Sequence, residues 1–243
     1  MTMLTKNTAK LRQEVAAHVA ADSIVKGIYW DSENKRGCFF GCLAKSSDPA
    51  INETAYGLPV MVQRIAESIF EALPANEAKE FFAALPDAVS CDGKDLTKVG
   101  WQFLAAELRS LPDQPAEIQA VIDLVIAGMD LLASGQEWST DVADAADRAA
   151  AEAVWAANDW AAEAATRAAA GSARAAARAA AWSTWAAARA AAWAADAAAA
   201  AAWAADAARA GARAGRAGAR LRQRDLLLRL IAEAPVVAST DDH

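Results

Sequence analysis

From Pro59 onward the apolar residues recur at helical spacing. Met61, Ile65, Ile69 and Leu73 follow one another every four residues, with Val62 and Phe70 beside them, which predicts an amphipathic helix ended by Pro74. Asn76 is placed to cap a following helix that carries Phe81, Phe82 and Leu85 and stops before Pro86. Trp101, Leu104, Leu108 and Leu111 form a further stripe. Asp113, ahead of Pro115, opens a helix whose buried edge is Ile118, Ile122, Val125, Met129 and Leu132. Upstream, Leu11, Val15 and Val19 share one side of a helix predicted over about Thr5 to Val25. Lys26 to Trp30 suits a short strand, Asp31 to Arg36 a turn, and Gly37 to Leu43 either a partner strand or a helix start. The fold class is therefore mostly α: a small helical N-terminal domain with a short β-hairpin, followed by long alanine-rich helices folded as a hairpin or bundle.

The pattern changes after Gly135. Ser139 or Thr140 is placed to cap a region, running to about Glu233, in which alanine dominates. Alanine is the best helix former but buries little area per residue. An unbroken helix from Val142 to Arg220 would span about 118 Å at about 1.5 Å per residue. Gly171-Ser172 offers a break, and Gly211, Gly215 and Gly218 weaken the distal end, so two or three helices folded back on one another are expected. The expected organisation is a globular domain over residues 1–135, an alanine-rich interaction region over 139–234, and a disordered tail over 235–243.

On a helical wheel, Ser172 to Ala205 has two unlike faces. One is almost entirely alanine, from Ala173 to Ala205, and would let another backbone approach closely, including that of a second copy of the chain. The other carries Arg174, Arg178, Trp182, Trp185, Arg189, Trp193, Asp196 and Trp203. Side chains three and four apart are neighbours, and Arg and Trp dominate interface hot spots. The stripe is thus the candidate surface for a host protein or protein complex. In the alternative packing its tryptophans dock on the N-terminal domain and its arginines pair with acids of the preceding helix. Arg209, Arg213, Arg216 and Arg220 share a face and would suit phosphate contacts, which leaves nucleic acid as a further partner class.

Charge and cysteine content narrow this picture. The net charge of −7 over 243 residues argues against a generally nucleic-acid-like chain. Three cysteines and no recognisable signal peptide point to a reducing cytoplasm. Arg189, Asp196 and Arg209 interrupt the only long apolar stretch, so no membrane span is expected. Cys38, Cys42 and Cys91 with His18 could supply four zinc ligands, but their spacing matches no common pattern. A nucleophilic Cys38 or Cys42 would need His18 as its base. Buried, inert thiols beside close glycine contacts are the simpler reading. Tyr29, Trp30 and Asp31, with Glu53 and Glu67, could line a pocket. No phosphate loop, paired-carboxylate spacing or Ser/His/Asp arrangement is present, so no catalytic residues, cofactor or metal are assigned.

Several segments together carry a family likeness: Gly27-Ile28-Tyr29-Trp30, Gly37-Cys38-Phe39-Phe40-Gly41-Cys42, Gly57-Leu58-Pro59 and Ile69-Phe70-Glu71-Ala72-Leu73-Pro74. With the alanine-rich tail ending in Leu226-Leu227-Leu228-Arg229-Leu230-Ile231, the chain resembles a group of uncharacterised bacteriophage and prophage proteins over nearly its whole length. Where that group carries a His-Ser pair after the second cysteine, this chain reads Lys45-Ser46-Ser47, which weakens a Cys/His mechanism. The resemblance implies a phage context and brings no activity with it; by analogy with small non-enzymatic phage accessory proteins, the expected role is binding of host machinery, such as a CRISPR defence complex.

Overall fold

The structure, a computed structural model, describes residues 3–112, 114–156, 174 and 212–237. It is mostly helical: α1 (Thr8–Ala20), β1 (Trp30–Asp31), β2 (Arg36–Gly37), α2 (Phe39–Ala44), α3 (Ala50–Tyr56), α4 (Val60–Ala72), α5 (Ala75–Val89), α6 (Val99–Arg109), α7 (Ala116–Ser134), α8 (Thr140–Ala156) and α9 (Ala212–Glu233). The two strands pair antiparallel, Trp30 opposite Gly37 and Asp31 opposite Arg36. Contacts divide the chain into two units, one of residues 1–99 with 224–243, the other of residues 100–223.

The first unit is built around α2, which packs on α1, α3, α4 and β2, while α1 and α4 also pack on α5. Its core is aromatic. The Phe39 ring meets Phe40, Phe70, Phe81 and Phe82 at centroid distances of 4.6, 5.6, 4.8 and 5.2 Å. A buried amide pair tightens the packing beside it. Gln63 Nε2 donates to the carbonyls of Pro49 and Leu58, and Asn52 Nδ2 donates to Gln63 Oε1 and the Phe40 carbonyl. These bonds satisfy both amide NH2 groups and Gln63 Oε1, while buried Asn52 Oδ1 has no partner among the described residues.

The two ends of the unit close on one segment. Thr5 N–H donates to the Lys94 carbonyl and Gly93 N–H to the Thr5 carbonyl; on the other side Asp95 N–H donates to the Pro235 carbonyl and Val237 N–H to the Gly93 carbonyl. Residues 235–237, expected to belong to a disordered tail, are therefore paired backbone. The same pairing delays the start of the first helix: Thr5 is held by Lys94 and Cys91, and α1 begins at Thr8; it ends at Ala20, with Val19 exposed rather than in the core.

Other boundaries move for local reasons. The predicted strand over 26–30 is reduced to Trp30–Asp31, because Gly27 takes a left-handed φ of 79° and its N–H is bound by the Glu71 carboxylate. Asn76 lies inside α5 and does not cap it; the helix starts after Pro74. It also runs through Pro86 to Val89. A proline near the end of a helix removes a single ladder bond, and burial of Phe82, Leu85, Pro86 and Val89 outweighs that loss.

In the second unit α7 packs on α8. Gly135 is the left-handed cap of α7 and not a boundary between units, because the chain turns there to lay α8 back on α7. Gly128 makes room for Trp138: a Cβ there would lie 2.3 Å from the indole. Ser139 accepts from Ala143 N–H at 3.0 Å just ahead of α8, and Asp113 lies outside the described residues. Buried Glu107 accepts from Gln223 Nε2 at 2.5 Å, and burial raises its carboxyl above the ordinary glutamate range.

Candidate functional site

The Tyr-Trp and double Gly-Cys segments meet in space because the backbone at Tyr29 crosses the start of α2. Cys38 N–H donates to the Ile28 carbonyl at 2.7 Å and to the Tyr29 carbonyl at 3.1 Å. A Cβ on Gly41 would lie 1.6 Å from the Tyr29 carbonyl oxygen, and one on Gly37 would lie 2.3 Å from it. Both glycines are thus required by close backbone approach.

Around this crossing stands a polar cluster fed by α4. Cys38 Sγ donates to Glu67 Oε1 at 2.9 Å, and Arg64 Nη1 donates to Glu67 Oε2 at 2.7 Å. The Arg64 guanidinium lies 5.4 Å from the centre of the Tyr29 ring. One turn on, Glu71 accepts the Gly27 N–H with both oxygens, and Lys26 Nζ donates to the Leu73 carbonyl at 2.6 Å. Arg64 was not singled out in the sequence; its placement three residues before Glu67 on a helix was the available signal. The Tyr29 hydroxyl is buried without a partner among the described residues, and burial raises its pKa.

These surroundings suit inert thiols. Burial, and then the Glu67 carboxylate, push the Cys38 thiol far up. Burial pushes Cys42 up to about 11, and its Sγ donates to the carbonyls of Gly37 and Ser23 at 3.2 and 3.6 Å. A nucleophile needs the opposite shift. His18 turns its Nδ1 to the Ser23 hydroxyl at 2.8 Å, and burial lowers its pKa. Among the described residues no group of three or more His, Cys, Asp and Glu side chains is placed to hold a metal ion. Brief iodoacetamide treatment of the native protein is expected to label half-buried Cys91 well ahead of Cys38 and Cys42, which react fully only in denaturant; peptide mass mapping reads this directly.

Of the proposed pocket residues, Tyr29 and Glu67 meet in the cluster around Arg64, and the others separate. Glu53 accepts the Val60 N–H at the start of α4, Glu67 belongs to the Cys38 cluster, and Trp30 lines a cavity with His18.

Of the Arg/Trp stripe, only Arg174 is described. Its Nε donates to Asp147 Oδ1 of α8 at 3.0 Å, so this arginine pairs with an acid of the preceding helix. Arg178, Trp182, Trp185, Arg189, Trp193 and Trp203 lie outside the described residues, as do Arg209 and the break at Gly171-Ser172. For Arg213 and Arg216 the backbone of α9 is described and the side chains are not. Arg220 Nη1 donates to Gln223 Oε1 at 2.9 Å and is half-buried, which ties it to its own helix. In α8 the alanine face points inward: Ala143, Ala146 and Ala150 are fully buried, while Asp141, Asp144, Arg148 and Glu152 are exposed.

Fold and site together define a mostly α protein with a small β-hairpin and an alanine-seamed helical segment. No protein-family model, curated protein or solved structure matches the chain. Among the described residues no helix is long and apolar enough to cross a membrane.

Proposed function

We propose that the protein is a phage-encoded, non-catalytic binding protein that engages a host protein complex of the bacterial cytoplasm, in the manner of a defence inhibitor, through its alanine-rich region. The observation that carries this reading is the two-faced packing of α8, with buried alanines on one side and charged side chains in solvent on the other. The sequence of Ser172 to Ala205 repeats the same division, with Arg and Trp in place of the acids. An alanine seam used for packing turns the large side chains to the opposite face, where a partner can reach them, although Arg174 is itself held by Asp147. The neutral, buried state of Cys38 and Cys42 supports a non-catalytic role. The phage context rests on the family resemblance.

The test is affinity capture from bacterial lysate with the full chain and with a W182A/W185A/W193A variant, read by mass spectrometry and then by titration with the captured protein. The triple variant is expected to lose at least about 30-fold in affinity while keeping its helical circular dichroism. Full binding by a folded triple variant overturns the proposal. So does capture that disappears on nuclease treatment, which would instead assign the arginine run to nucleic acid.

A further inference from the structure

The first unit carries an open surface cavity of about 460 Å³, lined by exposed and half-buried residues, that the binding role proposed above does not use. Glu14, Ala17, His18 and Ala21 of α1 form one side, with Ser23 just beyond; Trp30, Ser32 and Lys35 come from the hairpin, and Lys45 caps α2. That volume falls within the range of small-molecule sites.

The chemistry of the lining is one-sided. The indole of Trp30 and the methyl groups of Ala17 and Ala21 supply an apolar surface. Two ammonium groups stand at it, Lys35 and Lys45. Lys45 Nζ is 3.5 Å from Glu14 Oε2, so that carboxylate is already engaged. Lys35 Nζ and the Ser32 hydroxyl make no hydrogen bond or ion pair among the described residues. His18 Nε2 also has no partner among the described residues, and Lys35 is the one lysine of the lining that is not already paired.

The lining is also held in place. Asp31 Oδ1 accepts the N–H groups of Glu33 and Asn34, and Asp31 Oδ2 accepts from Asn34 Nδ2 and Arg36 Nε. These bonds fix the turn that presents Ser32 and Lys35. On the opposite element, His18 Nδ1 is bonded to Ser23 Oγ, and that hydroxyl donates to the His18 carbonyl, which fixes the imidazole. Lys35 and Lys45 both adopt a left-handed backbone, at φ 52° each, which non-glycine residues seldom do. A preorganised site loses less on binding than a mobile one.

We infer that this cavity binds a small, flat aromatic molecule bearing one acidic group, its ring against Trp30 and its anion at Lys35. Either a carboxylate or a phosphate meets this requirement, since both accept from an ammonium. The lining residues named all precede the alanine-rich region in the chain, and the inference does not depend on that region's role.

Isothermal titration calorimetry on the full chain at low salt tests the assignment with two probes of nearly one shape, 2-naphthoate and neutral 2-naphthol. Single-site binding of 2-naphthoate is expected, about tenfold tighter than 2-naphthol. Phenyl phosphate in competition distinguishes which acid is preferred. Lys35→Gln, on an exposed turn, is expected to weaken 2-naphthoate about tenfold and leave 2-naphthol unchanged. Trp30→Ala is expected to weaken both. Absence of saturable 2-naphthoate binding, equal affinity for the two probes, or unchanged 2-naphthoate affinity in folded Lys35→Gln overturns the inference.

Discussion

Gly41→Ala is expected to destabilise the protein by about 3 kcal/mol or more, at the upper end of what overpacking a core costs. The added methyl would stand 1.6 Å from the Tyr29 carbonyl oxygen, and the obstacle is backbone that Cys38 N–H also holds. Neither side can rotate away, so the crossing itself must open. Urea unfolding followed by circular dichroism measures the loss. Gly218→Ala is the internal control: among the described residues its Cβ would meet only the Arg222 guanidinium, at 3.6 Å within α9. Replacing a helical glycine with alanine is expected to stabilise by about 0.5–1 kcal/mol. Two substitutions of one type should therefore shift the midpoint in opposite directions. A Gly41→Ala midpoint equal to wild type would refute the close approach.

Lys94→Met is expected to cost about 3–5 kcal/mol, because it strips the donor from three carbonyls at once. Lys94 is 5% exposed, and its Nζ donates to Ala88, Ile231 and Ala232 carbonyls at 3.2, 3.2 and 2.7 Å. All three N–H bonds of the ammonium are thus used, at the C-terminal ends of α5 and α9, where the helix dipoles favour a cation. Methionine fills a similar volume and leaves those carbonyls unpaired. The damage should spread to the adjoining pairing, so the amides of Asp95 and Val237 should exchange faster by at least about 100-fold in hydrogen–deuterium exchange. Unchanged protection at Val237 would show that Lys94 does not anchor the chain end.

Neither Lys94 nor the crossing at Gly41 could be recognised for what it is from local pattern. Lys94 sits in the polar run Cys91-Asp92-Gly93-Lys94-Asp95, which has the composition of an exposed turn. Its burial depends on partners 6, 137 and 138 residues away. The spacing of Gly37 and Gly41, four apart, is consistent with a close backbone approach, but only the fold shows that the excluding atom belongs to Tyr29. Likewise, His18 suggested a base for Cys42, whereas the fold gives its ring to Ser23 and gives the Cys42 thiol to backbone carbonyls.

What local sequence determined was the run of helices from Met61 to Leu132, whose apolar residues repeat with the helical period and are mostly buried. Periodicity settles which face of a helix turns inward, because neighbours three and four apart share that face whatever lies opposite. No sequence expectation covered the buried alanine edge of α8, and Arg174 follows the alternative packing, in which arginines of the stripe pair with acids of the preceding helix. Tertiary structure alone decided where helices end and which polar groups are spent inside. Thr5 left α1 to pair with Lys94, α5 continued through Pro86, Pro235–Val237 became paired backbone, and Trp30, Lys35 and Lys45 came together around one cavity. Each of these outcomes is set by partners distant in sequence, and a hydrogen bond or a backbone approach has no period to announce it.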